Sequence, residues 1–462
     1  MRIDYNICAK DLLPKIHMLF EISAQKILNI DKTWNPDRGA PVYTVNGKYT
    51  TRSWTEWTRG FQYGSAILQF EVNTEKNFLE LAKKAIRDFM VLHISHMGVH
   101  DHGFNIVSTY GNLLRLMDEE MIPMNEWEKN FYQLALRVSG AVQASRWTNI
   151  IEDLGYIYSF NGPHSLFADT IRSLRVLAIS HQLGHILKTE SDESINLLKR
   201  LLIHAETTAR YNVYYGSGRD KYDVSGRVAH ESIFNLIKGE YRCPSSQQGY
   251  SPFTTWTRGL AWIICGYAEQ IEFLNSLNSN EFNRLNSPPF LKKSEVLKRF
   301  LQVTRITADY YIKNTPLDGI PYWDTGAPGL ASMRHYLEQA AQPFNDYEPV
   351  DSSAAVIAAQ GLLRLGYYLR QKGDKNNSTK YYQAGLTIAD NIFSEPYLSM
   401  HPNHQGLILH SVYHRPNNWD YIPRGKKIPY GESSMWGDYH ARELALYIKR
   451  QAENKPYLKF YI

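Results

Sequence analysis

Apolar residues return at steps of three and four along almost the whole chain, and that period commits it to helices. Phe78, Ala82, Ala85, Phe89 and Leu92 share one face of a helix, with Thr74 as its expected N-cap. The stretch Ile171 to Leu187 repeats the pattern behind Asp169 and Thr170. Asp351-Ser-Ser opens another run, which Gly366 or the Gly373-Asp374 pair closes. The period predicts about twelve helices, near 8–29, 57–70, 75–94, 104–120, 126–144, 164–186, 191–213, 255–272, 291–313, 351–371, 376–394 and 433–452. Strand alternation is scarce, confined to a ribbon between about 213 and 245 and short pieces near 41–51.

No Gly/Ser-rich linker divides the 462 residues, so one domain spanning 1–462 is expected. Twelve helices joined by alternating short and long loops suggest six hairpins closed into a ring, an all-α (α/α)6 barrel with a short β-ribbon in its loops. Inner helices of such a ring are buried on every side and should be small and apolar, as 354–363 is. Outer helices keep a charged face, as Glu80, Lys83, Lys84 and Arg87 do. An open solenoid would need a repeat of fixed period, and the sequence has none.

Charge excludes some partners. Fifty-one Lys and Arg against 46 Asp and Glu leave a net charge of +5, with no basic run, so nucleic acid is not expected. The longest apolar runs, such as Leu260 to Cys265, are far too short to span a membrane. Three cysteines, Cys8, Cys243 and Cys265, make no disulfide framework, and the N-terminus has no signal-like apolar stretch. A cytoplasmic protein is the expectation. Aromatic residues reach 13%, and such rings stack on the C–H faces of sugars as readily as they fill a core.

Three stretches could carry chemistry. His93-Ile-Ser-His96-Met-Gly-Val-His100-Asp101-His102 holds four histidines and a carboxylate, yet the spacing fits no common metal site, and no metal is expected. Its histidines could simply cap a helix and satisfy loop carbonyls, or Asp101 could be a catalytic carboxylate at a helix mouth. Asp169 precedes a long apolar run, which suits an N-cap; the turn Asn161-Gly-Pro-His164 ahead of it could instead aim it into a cavity. Two carboxylates on one barrel face would suit hydrolysis of a glycosidic bond. The third stretch, Gln247-Gln248-Gly-Tyr with Trp256-Thr-Arg258-Gly-Leu-Ala-Trp262, joins a guanidinium fork to two stacking platforms, unless the tryptophans only pack and Arg258 only braces the helix mouth through backbone carbonyls.

Six short motifs then stand in a telling order: Trp57-Thr-Arg-Gly-Phe, His100-Asp101-His-Gly-Phe, Gln248-Gly-Tyr with Trp256-Thr-Arg258-Gly-Leu-Ala-Trp262, Pro321-Tyr-Trp-Asp324, Asp351-Ser-Ser-Ala-Ala and Trp436-Gly-Asp438-Tyr. Together, from about residue 50 to 445, they resemble glycoside hydrolase family 88, the unsaturated glucuronyl hydrolases, and related β-glucuronidases. The resemblance implies an (α/α)6 barrel and a site without metal or cofactor, built on Asp101 and Asp169 and acting on an oligosaccharide that ends in a uronic acid. It also implies Trp57, His100, His230, Gln248, Trp256, Arg258 and Trp262 as wall and substrate contacts.

In that chemistry an acid protonates C4 of the unsaturated uronate, water adds at C5, and the hemiketal opens to release its partner sugar. Asp169 is expected to serve as acid and then base, with Asp101 holding ring hydroxyls and raising the pKa of Asp169 by its charge. Arg258 and Arg59 are expected to recognise the uronate carboxylate. The chain departs from the family pattern at Arg59, at His102 and over Ser165–Ala168, which leaves room for a saturated glucuronide. Two rival readings are a sugar 2-epimerase working through His100, His164 and His230, and a carbohydrate-binding barrel without activity.

Overall fold

A computed structural model describes residues 1–52, 56–285 and 292–461. Twelve helices alternate between an outer and an inner ring. The outer helices are α1 (Leu13–Thr33), α3 (Lys76–Ala85, continued through Ile86–Met90 and Val91–Ile94), α5 (Glu126–Ser145), α7 (Leu197–Tyr211), α9 (Lys293–Lys313) and α11 (Lys375–Ile392). The inner helices are α2 (Arg59–Asn73), α4 (His102–Ile106, continued through Val107–Gly111 and Asn112–Asp118), α6 (Thr170–Ser173 and Arg175–Gln182), α8 (Thr257–Ser276), α10 (Ser352–Gln371) and α12 (Met435–Ala452). Each inner helix packs on the next, and α12 returns onto α2, so the ring closes as an (α/α)6 barrel. The first residue of the predicted 291–313 helix lies outside the described residues.

Close approach holds the inner ring together. A Cβ on Gly103 of α4 would fall 2.0 Å from the Ser173 carbonyl oxygen of α6, and one on Gly361 of α10 would fall 2.7 Å from the Cys265 nitrogen of α8. Only a residue without a side chain lets the backbones meet there. The segment 354–363 is buried throughout, as an inner helix requires. The barrel axis is not simply small and apolar, however. Arg172 reaches Glu269 at 3.1 Å and Glu443 at 3.1 Å, and Arg364 reaches Glu272 at 2.6 Å, all fully buried. Each buried guanidinium is tolerated because a carboxylate faces it.

Local chemistry explains where the sequence reading went astray. Thr74 is not an N-cap: it closes α2 in the left-handed region at φ 59°, and Glu75 precedes α3. Within α3 the Ile86–Met90 segment is a π-turn, whose extra residue rotates the apolar stripe and leaves Leu92 81% exposed. The predicted helix 164–186 begins instead with strand β1 (Ser165–Phe167), and the predicted 191–213 helix begins with a hairpin of Ile186–Lys188 against Ser194–Asn196. Strand β1 pairs antiparallel with β2 (Glu231–Phe234), which pairs antiparallel with β3 (Tyr241–Ser245). Two strands of this sheet lie within the expected ribbon region, and the third, Ser165–Phe167, comes from outside it.

The cysteines are free, with Cys265 buried. Among the described residues no helix is long and apolar enough to cross a membrane.

Candidate active site

The cleft opens where the N-terminal ends of the inner helices converge. Trp57 lies ahead of α2, His100 and Asp101 ahead of α4, Asp169 ahead of α6, Trp256 ahead of α8, Asp351 ahead of α10 and Ser434 ahead of α12. Helix N-termini carry exposed N–H groups and partial positive charge, so their convergence favours an anionic ligand. The three-stranded sheet supplies one wall. Asp169 follows β1, His230 precedes β2, and Gln247 and Gln248 follow β3.

The aspartates in the motifs divide by what they accept. Asp351 caps α10 through the Ser353 N–H at 3.1 Å and also accepts from the Ser353 hydroxyl and from Arg258. Asp438 accepts from the Tyr49 hydroxyl, the Ser433 hydroxyl and the N–H groups of Leu407 and Ile408. Asp324 accepts from the Tyr250 and Gly326 N–H groups. These three fasten loops around the mouth. Asp101 and Asp169 occupy N-cap positions too, yet neither side chain caps its helix, and Asp169 Oδ1 is buried with no hydrogen-bond partner among the described residues. Forgoing a cap costs about 1 kcal/mol, and both carboxylates are left facing the cleft.

His100 stands between them. Its Nε2 is 3.5 Å from Asp101 Oδ1 and 3.5 Å from Asp169 Oδ2. Burial works against its charge, but the two carboxylates outweigh burial and hold its pKa above the ordinary value. Burial lifts Asp101 to about 6, against the pull of His100. Burial also pushes Asp169 up, but His100 and His230 outweigh it and hold Asp169 below its usual range. The expectation that Asp101 raises Asp169 is thus reversed, because the pull of His100 and His230 outweighs burial at Asp169.

His230 packs its ring on Phe167 and Trp256. Its Nδ1 accepts the N–H of Gln247 at 3.0 Å and of Gln248 at 3.3 Å, so the ring proton sits on Nε2, 3.8 Å from Asp169 Oδ1. Burial lowers its pKa, against the pull of Asp169 and Glu231. Trp256 Nε1 and His230 Nε2 are buried donors without a protein partner among the described residues, positions a bound hydroxyl could satisfy.

The structure brings Trp57, His100, Asp101, Asp169, Gln248, Trp256, Arg258 and Trp262 into one cleft lining, with His230 against its floor. It does not bring Arg59 there. Arg59 turns to Glu56 at 3.2 Å and to the Pro36 carbonyl, away from the cleft. Arg258 lines the wall, but its guanidinium donates to Asp351 at 2.6 Å, to the carbonyls of Val412 and Tyr413, and to Gln248 Oε1 at 3.1 Å. Its carboxylate partner belongs to the chain itself. His164 stays in its turn, where its carbonyl accepts from Phe234, and does not join the lining.

The sequence reading named Asn161 and Gln247 only as parts of their stretches and gave them no site role, and it missed Phe160, and Tyr413, His414, Asn417 and Trp419 from the segment between α11 and α12. The aromatic and Asn-rich run Tyr413-His-Arg-Pro-Asn-Asn-Trp419 was the available signal. Asp420 pins this segment by accepting the N–H groups of Tyr413 and His414. The other histidines of the 93–102 stretch serve structure. His102 donates to the His96 carbonyl at 2.9 Å, and His93 lies 3.4 Å from the Asn105 amide. Among the described residues the three groups close enough to share an ion are His100, Asp101 and Asp169.

No family model matches the chain. By sequence it is 23% identical over 394 residues to the unsaturated glucuronyl hydrolase of Formosa agariphila, covering 84% of this chain and 78% of that protein. By fold it aligns with an unsaturated glucuronyl hydrolase specific for heparin at a TM-score of 0.70 and 18% identity, over 97% of this chain and 100% of the other. An Asp-to-Asn variant of the hydrolase from Streptococcus agalactiae, complexed with dGlcA-GalNAc6S, gives a TM-score of 0.61 at 19% identity, over 96% and 93%. Relatives by sequence and neighbours by fold are thus the unsaturated glucuronyl hydrolases that the six ordered motifs resemble.

Proposed function

We propose that the protein is an exo-acting unsaturated glucuronyl hydrolase, which releases a terminal Δ4,5-unsaturated glucuronate from an oligosaccharide. The observation that carries this reading is His100 set between two buried, uncapped aspartates where the inner-helix N-termini converge. The relatives share that activity by name, and the charge of the converging helix ends suits a uronate.

Asp169 is the proton donor to C4 and then the base that takes a proton from the water adding at C5. His100 and His230 hold it below its usual range, so before substrate binds it is ionised. Arrival of the uronate adds a negative charge and expels water, and both effects raise its pKa. His100, poised between the carboxylates and with its pKa raised by them, can deliver the proton Asp169 then needs; after transfer to C4, Asp169 regains a proton from the water that adds at C5. The resulting hemiketal opens and the leaving sugar departs. Trp57, Trp256 and Trp262 supply the aromatic walls of the pocket. Nothing in the sequence of steps calls for a metal or cofactor.

The test is incubation with an unsaturated glucuronyl disaccharide and its saturated counterpart. Absorbance of the double bond should fall as free sugar appears, with the saturated compound untouched. Sugar release from the saturated compound alone, or no release from either, would overturn the reading.

A further inference from the structure

Glu231 is 1% exposed, and among the described residues no lysine or arginine pairs with it. It opens β2, the middle strand of the sheet, beside His230. Its Oε1 accepts from the Ser165 hydroxyl at 2.5 Å and the Asn161 amide at 3.0 Å, and its Oε2 accepts from the Gln247 amide at 3.4 Å. A carboxylate offers only acceptors, so both amides must turn their NH2 groups toward it. Their carbonyl oxygens are not used on Glu231, and both residues line the cleft. Asn161 is half-buried and Gln247 is exposed, whereas His100, Asp101, Asp169 and His230 are buried. The two amides therefore sit at the mouth, where an exo-acting enzyme holds the leaving sugar.

Resting on the function proposed above, we infer that Glu231 is a positioning residue that fixes an acceptor wall on the leaving-sugar side and selects uncharged sugars rich in hydroxyl or amide donors. Carbonyl oxygens bind such donors and repel a sulfate group. Neither Asn161 nor Gln247 carries a positive charge, and the raised imidazole of His100 is buried between Asp101 and Asp169. Arg258, the one Lys or Arg among the described lining residues, is closed on Asp351, and burial pushes His414 down to about 4, which keeps it neutral. A covalently held donor face would have been built from lysine or arginine; this one is built from two amides locked the opposite way.

The experiment compares two unsaturated disaccharides that differ only by a 6-sulfate on the N-acetylgalactosamine, with the wild type and with Glu231→Gln, Asn161→Ala and Gln247→Ala. The wild type should favour the unsulfated compound by about tenfold in kcat/KM, the scale of one or two hydrogen bonds exchanged for repulsion. Glu231→Gln, whose amide can both donate and accept, should raise KM for the unsulfated compound by about five- to tenfold, change kcat little, and narrow the preference. Asn161→Ala and Gln247→Ala should move KM the same way, and they carry the test if Glu231→Gln fails to fold. Equal turnover of both compounds by the wild type, or alanine variants with unchanged KM and preference, would overturn this inference alone. Turnover of neither compound by the wild type would instead overturn the function on which it rests.

Discussion

Arg258 Nη1 lies 2.6 Å from Asp351 Oδ2, and both side chains are almost wholly buried. The pair ties the start of α8 to the start of α10, and through the carbonyls of Val412 and Tyr413 it also ties both to the loop ahead of α12. Arg258 is therefore a brace of the mouth. Arg258→Ala should destabilise the protein by about 3–5 kcal/mol, because Asp351 would remain buried without its cation. Gln248→Ala removes the contact nearest the cleft and leaves the ion pair whole, so its unfolding midpoint should match the wild type. Denaturant titration of the two variants decides the point. An unchanged midpoint for Arg258→Ala would return it to the role of uronate ligand.

Asp169→Asn should lower kcat by at least about a hundredfold, since an amide has no proton to give C4, and lost general acid–base work costs roughly 10²–10⁴. The fold should survive, because the Asp169 side chain caps nothing. Circular dichroism and thermal melting would show a wild-type profile beside a dead assay. Residual activity above a few per cent would place the proton donor elsewhere.

The barrel was legible in the sequence because each inner helix must bury a continuous apolar face, and 354–363 does so. The aspartates were legible as candidates, but not as a class. Asp101, Asp169, Asp351 and Asp438 all stand at or near helix starts, and only their hydrogen bonds separate the loop fasteners from the pair left facing the cleft. The ion pair of Arg258 was not legible for the same reason: its partner is 93 residues away, and no local pattern announces Asp351. Arg59 misled because Glu56, three residues earlier, already takes its charge. The leaving-side wall was hidden because Glu231 acts on Asn161 from a strand 70 residues further on.

His100, Asp101 and Asp169 can each offer one ligand atom within 4.8 Å of the others. Zinc should therefore inhibit by displacing the His100 proton and seizing both carboxylates. Dialysis against a chelator should leave kcat unchanged, and chelator added after zinc should restore it. Activity lost on chelation and regained with zinc would make the triad a metal site and remove Asp169 from its acid–base role.

Asp101 titrates near 6 in the folded protein because burial penalises its charge, against an ordinary value of 3.8. Between those two values the native state binds more protons at this group than the unfolded chain does. Its contribution to stability is therefore fully present below about pH 4 and falls as pH rises toward 6. At neutral pH the enzyme carries a buried carboxylate at a net cost on the order of 3 kcal/mol, with the pull of His100 already included. Asp101→Asn removes that cost and keeps the shape of the side chain. The variant should melt above the wild type at pH 7.5, and the gap should close as pH falls to 4. Its activity should drop at the same time, since His100 loses one of the two carboxylates that raise its pKa. A stability gap that stays constant from pH 4 to 7.5 would mean that burial does not penalise the Asp101 charge, and the raised carboxyl would have to be withdrawn from the mechanism.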